Sequence, residues 1–242
     1  MGQDVVSDDR VAPLSDWREV VERWDKIALC PCCCSLRQNA RATGCDLPEM
    51  FSPEMSDYRN VFDEHGHKLE RCLAFGEEAE FYIENGLGRE ITKEECYEVI
   101  QNNIDEGLVI QFGYVRNANI ICSCHSDCCG VLMTYRNVPD EVWDSSPIKF
   151  NCSDYTLEYD RDSCIQCGAC VARCPMVSIS MDDDGYPTVD NRCVRCGQCG
   201  LVCPAGARKL EHKPAEECMP VPESHMADMN RKFGYRLEHG LV

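Results

Sequence analysis

Two stretches of the chain repeat one cysteine spacing. The first reads Cys164-x2-Cys167-x2-Cys170-x3-Cys174-Pro175, and the second reads Cys193-x2-Cys196-x2-Cys199-x3-Cys203-Pro204. A cubane cluster presents four irons, each needing one thiolate. Three cysteines two residues apart wrap around one cluster, and the fourth points away to complete its neighbour. The spacing therefore assigns Cys164, Cys167, Cys170 and Cys203 to one [4Fe–4S] cluster and Cys193, Cys196, Cys199 and Cys174 to another. Gly168 and Gly197 let the loop backbone approach the sulfurs, so that N–H groups can bond to them. Val171, Ile179, Val189, Val194 and Val202 are the expected apolar wrap. Four-cysteine zinc sites also use Cys-x2-Cys pairs, but zinc would leave the third cysteine of each triplet without a role.

The chain has 242 residues, and cysteine is its compositional anomaly at 21. Cys32-Cys33-Cys34, Cys122-x-Cys124 and Cys128-Cys129 are too tightly spaced for mutual bridging and suit a metal. The count is odd and the N-terminus MGQDVVSDDR is polar, unlike a signal peptide. Metal ligation in a reducing cytoplasm is the expectation.

The formal charge of −18 is unevenly spread. Residues 46–106 hold 17 acids and 5 bases, a net −12, whereas 152–212 hold 9 acids and 6 bases, a net −3. Such a balance opposes binding to phosphate backbones, so no nucleic-acid partner is expected. The acidic stretch reads as a solvated face or as a docking surface for a basic partner protein. No apolar run approaches the ~20 residues of a membrane span. Val6 stands where a myristoylated Gly2 would want Ser or Thr. Neither a Gly-x-Gly-x-x-Gly after a strand nor a Walker loop is present to bind a nucleotide.

Elements that position the cysteines follow from periodicity. Leu14, Trp17, Val20, Val21, Trp24 and Ile27 predict an amphipathic helix over 14–29 that runs into a Pro31-cysteine loop, with both tryptophans in the core. Residues 46–68 read as a loop with His65 and His67 at the surface, and 77–85 as a short helix. Thr92-Lys93-Glu94-Glu95 is a capping box for a helix ended by Gly107. Two β-rich runs, 108–115 and 119–123, follow it. This helix-plus-hairpin resembles part of a winged-helix unit, read here as a scaffold for Cys122 and Cys124. The expected fold is α+β: a cysteine-rich helical domain with a β-hairpin over 1–138, a linker over 139–151, a bacterial 2[4Fe–4S] ferredoxin-like domain over 152–212, and a tail without strong periodicity over 213–242.

Over residues 15–212 the chain resembles a bacterial and archaeal family of 4Fe–4S dicluster-domain proteins with a cysteine-rich region upstream. The resemblance rests on IALCPCCCSLR at 27–37, GCDLPE at 44–49, RCLAFGEEAEFYIENGLGREITKEE at 71–95, GLVIQFGYVRNANIICSCHSDCC at 107–129 and the two quartets. It implies ligand-like roles for Cys32, Cys34, Cys45, Cys72, Cys122, Cys124, Cys128 and Cys129, enough for two further cubanes. One grouping places Cys32, Cys34, Cys45 and Cys72 on one cluster and the later four on another, and a mixed set is the alternative. A zinc site with buried free thiols is the competing reading. His125 and Asp127 stand where relatives often carry cysteine, Cys30 and Cys33 look like extras, and 51–70 looks like an insertion.

The expected role is an electron-relay subunit of a cytoplasmic anaerobic oxidoreductase complex. It would pass single electrons between a flavoprotein or ferredoxin donor and a catalytic subunit, without catalysis of its own. A reductase with an open upstream cluster, flanked by His125 or Asp127, is one alternative, and a redox-sensing regulator is another.

Overall fold

The computed structural model describes residues 5–6, 9–11, 17–43, 61–113, 115–145, 148–149, 153–218, 221–238 and 240. Cys45 and Cys152 lie outside them.

Helix α1 (Trp17–Arg23) buries Trp17, Val20 and Val21 and stops short of the expected residue 29. Ile27–Pro31 form strand β3 instead, paired antiparallel with β4 (Glu70–Phe75). Its first four residues are all buried, as in a strand covered on both faces. Ile27 and Leu29 join Leu73 and Phe75 in the main core under α1. Ala28, Cys30 and Ala74 face the other way, where helix α3 (Glu77–Glu84) places Ala79 against them. Immediately after β3 the chain enters helix α2 (Cys33–Thr43), so Cys33 and Cys34 lie in a helix where a loop was expected.

Helix α4 (Lys93–Asp105) starts at the capping box, where the Thr92 hydroxyl accepts the Glu95 N–H at 3.2 Å. Its Cys96, Ile100 and Ile104 pack into the main core. At Gly107 φ is +98°, a turn that glycine makes without steric cost, and the chain enters β6 (Val109–Gly113) and then β7 (Ile120–Cys124). With β2 (Asp9–Val11) and β5 (Arg89–Glu90) these strands form a six-stranded sheet ordered β2-β6-β7-β4-β3-β5. All its pairings are antiparallel. The upstream region is therefore mixed helix and sheet, with β6 and β7 as two of six strands, a correction to the expected helical domain. The order matters for chemistry because β7, β4 and β3 are neighbours, which brings Cys122 and Cys124, Cys72, and Cys32 to one edge of the fold.

In the downstream module β9 (Tyr155–Tyr159) pairs with β12 (Arg208–His212), and β10 (Ile179–Met181) with β11 (Pro187–Val189). The expected linker holds helix α6 (Asp140–Ser145) and β8 (Ile148–Lys149), the latter parallel to β1 (Val5–Val6). In place of an aperiodic tail, His225–Glu238 form a helix with Met226, Met229, Phe233 and Leu237 exposed along it. Among the described residues no helix is long and apolar enough to cross a membrane.

The two halves are joined by polar side chains that satisfy the end of α4. Arg173 Nη2 donates to the carbonyls of Ile104 and Asp105, each at 2.7 Å. The buried Gln198 Nε2 donates to Ile104 (3.0 Å) and Leu108 (2.8 Å), while its Oε1 accepts from Arg173 Nε at 2.9 Å. These groups satisfy orphan carbonyls at a helix C-terminus, where a cation is also favoured by the dipole. Replacing Gln198 by Ala removes the side-chain donor to the Leu108 carbonyl and is expected to cost about 1–3 kcal/mol. Thr92→Ala, at an exposed cap, is expected to cost about 1 kcal/mol. Thermal melts under argon check this, and a Gln198→Ala midpoint equal to wild type would contradict the role given to the junction.

Candidate metal centres

The downstream quartets fold as the repeat demands. Gln166 and Arg195, each between the first two cysteines of its quartet, have φ of +57° and +54°. Val177 (φ +56°) and Gly206 (φ +62°) match in the same way after the fourth cysteines. Positive φ is costly for a β-branched residue and persists only where its surroundings enforce it. Here the enforced turn aims amides at sulfur. Ser178 N–H donates to Cys174 Sγ at 3.3 Å, and Ala207 N–H donates to Cys203 Sγ at 3.2 Å.

Two recesses result. One is lined by Cys164, Cys167, Cys170 and Cys203, with Tyr159 and Arg208 at its wall. The other is lined by Cys193, Cys196, Cys199 and Cys174, with Met176 and Val194. Cys170, Ile179 and Cys199 pack together between them, with Leu157, Val171 and Cys174 alongside. Of the expected wrap, Ile179 and Val194 are buried, whereas Val189 is exposed. Burial pushes the Cys199 thiol up to about 11 and raises Cys174 and Cys196 as well. A bound metal must therefore displace protons from these sulfurs. Four thiols around each recess, supported by amides, fit a cubane cluster.

Upstream, six thiols close into one ring. Cys32 meets Cys34 and Cys72, Cys72 meets Cys122, Cys122 meets Cys124, and Cys124 meets Cys129, which returns to Cys34. Cys33, thought an extra, touches Cys34. Hydrogen bonds from both neighbours hold Cys32 and Cys122 well below the ordinary thiol range and bring Cys129 to about 3, whereas the donors Cys34, Cys72 and Cys124 are pushed far up. The contacts Cys72–Cys122 and Cys34–Cys129 join early and late cysteines.

Helix ends and one cation serve this ring. Cys32 accepts the Ser35 N–H of α2, and Cys129 accepts N–H groups of Val131 and Leu132 at the start of α5 (Gly130–Asn137). Both sulfurs thus satisfy orphan amides at helix N-termini, where the dipole favours anions. The fully buried Arg71 donates from Nη2 to Cys128 Sγ (3.1 Å), Cys32 Sγ (3.5 Å) and Ser35 Oγ (2.6 Å). Its other N–H groups reach Asp63 Oδ2 (3.2 Å), the Lys68 carbonyl (2.9 Å) and the Ser123 carbonyl (3.0 Å). Cys128 thus shares Arg71 Nη2 with Cys32 of the ring. Cys30 and Cys96, buried elsewhere, are pushed up to about 12 by desolvation and behave as core thiols. An all-sulfur donor set at two helix N-termini beside a cation fits a thiolate-bound metal centre. Sequence reasoning missed Arg71, although its place directly before Cys72 was visible.

The ring also touches the second recess. Cys124 and Cys129 share a buried apolar cluster with Val109, Leu132, Met176 and Val194, and Cys122, Cys174 and Cys196 pack against it.

Comparison with known proteins concerns the downstream module. The model of the 4Fe-4S dicluster domain matches residues 163–208. A "Probable ferredoxin" of Methanosarcina thermophila is 55% identical over 29 residues, 12% of this chain and 50% of that protein. The chain thus spans about half the length of the curated relative it matches. Residues 163–208 form a ferredoxin-type 4Fe–4S dicluster domain, an iron–sulfur electron-transfer module that implies two [4Fe–4S] clusters.

Proposed function

We propose that the chain passes single electrons along three sites in series: the first recess, the second recess and the upstream ring. Cys164, Cys167, Cys170 and Cys203 hold the first cluster, and Cys193, Cys196, Cys199 and Cys174 hold the second. Cys32, Cys34, Cys72, Cys122, Cys124 and Cys129 hold at least one more, with Cys128 and Cys45 as further ligands for a second upstream cluster. The clusters supply one-electron chemistry when bound. The protein supplies thiolates, amide donors, a dry apolar packing between sites and the compensating charge of Arg71.

The observation that carries this reading is the apolar cluster on which Cys124 and Cys129 meet Cys174 and Cys196. Cysteines of two sites in one packed cluster make a short dry path. At the far end, Cys167 and Ile165 are exposed on the rim of the first recess, where a redox partner has access. In this reading the chain is the relay subunit of a cytoplasmic anaerobic oxidoreductase complex, set between a flavoprotein or ferredoxin and a catalytic subunit.

Two outcomes are expected. Cys174→Ala should abolish the cluster signal of the second recess and Cys203→Ala that of the first, read by electron paramagnetic resonance of the reduced protein. The reverse assignment sinks the crossed ligation. Full-length protein prepared without oxygen should hold more than the about eight irons of two cubanes, and Cys124→Ala should remove the excess along with the magnetic coupling to the second-recess cluster. Eight irons with stoichiometric zinc would end the upstream assignment.

A further inference from the structure

Two histidines and a carboxylate gather beside the ring, from segments that the sequence reading kept apart. His125 Nδ1 lies 2.9 Å from Asp127 Oδ2, and His67 Nε2 lies 3.3 Å from the same oxygen. The ligand atoms of all three residues fall within 4.8 Å of one another. The other carboxylate oxygen, Asp127 Oδ1, is buried without a hydrogen-bond partner among the described residues. From this geometry we infer that His67, His125 and Asp127 form a mononuclear site for a divalent transition-metal ion, distinct from the sulfur-bound iron.

The site is built rather than accidental. Asp63 Oδ1 accepts the backbone N–H groups of His65 (3.1 Å) and His67 (2.9 Å), pinning the turn that carries His67. Asp63 is itself fixed by the Ser35 hydroxyl at 2.8 Å and by Arg71. On the other side, the His125 carbonyl accepts N–H groups of Cys128 (3.3 Å) and Cys129 (2.9 Å), a turn that brings residues 125 and 127 together. The residues that steady the thiol ring therefore also steady the triad.

The donor set is two imidazole nitrogens and a carboxylate oxygen, which suits borderline divalent ions such as Fe²⁺, Co²⁺ and Zn²⁺. Three protein ligands leave coordination open to water or a small anion, as in non-structural metal sites. Side-chain exposures of 15%, 20% and 26% for His67, Asp127 and His125 leave a way in from solvent. His65, with Nδ1 3.9 Å from Asp127 Oδ2, stands near as a fourth donor.

Cobalt(II) is the probe. Full-length protein carrying its iron, freed of loose metal by a chelator, should take up one equivalent of Co²⁺. X-ray absorption at the cobalt edge should show nitrogen and oxygen neighbours without sulfur. His67→Ala should weaken uptake at least tenfold with iron content unchanged. Sulfur in the cobalt shell, no uptake, or uptake indifferent to His67→Ala would overturn the site and leave a metal-free His–Asp–His ion cluster. The wild-type absorption spectrum decides the ligand type even if His67→Ala fails to fold.

Discussion

Crowded sulfur charge is the constraint around which the upstream half is built. Six thiols in contact in a poorly hydrated interior cannot all ionise by themselves, since neighbouring like charges oppose one another. Hydrogen bonds between neighbouring sulfurs relieve part of this, a thiol donating to a thiolate. Iron in the ring would relieve it further by compensating every sulfur at once. The surrounding architecture works in the same direction: α2 and α5 turn their N-termini toward Cys32 and Cys129, and the buried guanidinium of Arg71 lies against Cys32 and Cys128.

The sheet explains how distant cysteines meet. Because β7, β4 and β3 are adjacent, residues near 32, 72 and 122 converge although 90 positions separate the outer two. The Asp63–Arg71 pair, both side chains 1% exposed, locks the loop after residue 61 to this edge. A buried pair of this kind adds little net stability, but removing one partner costs about 3–5 kcal/mol. The pair thus fixes geometry, and both the ring and the histidine cluster depend on it. The docking of Arg173 and Gln198 onto the end of α4 holds the dicluster domain against this scaffold, with the second recess facing the ring.

How much was legible depended on whether the signal was local. The double quartet is a fixed-spacing motif, and the recesses formed by Cys164, Cys167, Cys170 and Cys203 and by Cys193, Cys196, Cys199 and Cys174 are grouped as the spacing implied. The Thr92 capping box is equally local, and its hydrogen bond is present. By contrast, Ile27-Ala28-Leu29-Cys30 is a short apolar run, and periodicity alone cannot tell such a run in a strand from a helix end. Pro31 and the cysteines after it suggested a loop, yet proline near the start of a helix is no obstacle, and α2 begins at Cys33. The approach of His67 to Asp127, 60 positions apart, had no local signature at all.

Anomalous diffraction at the iron and zinc absorption edges, from crystals grown without oxygen, tests the central placement most directly. Iron peaks are expected in the two recesses and again inside the ring of Cys32, Cys34, Cys72, Cys122, Cys124 and Cys129. Iron confined to the two recesses, with a zinc peak or no metal within the ring, would contradict it.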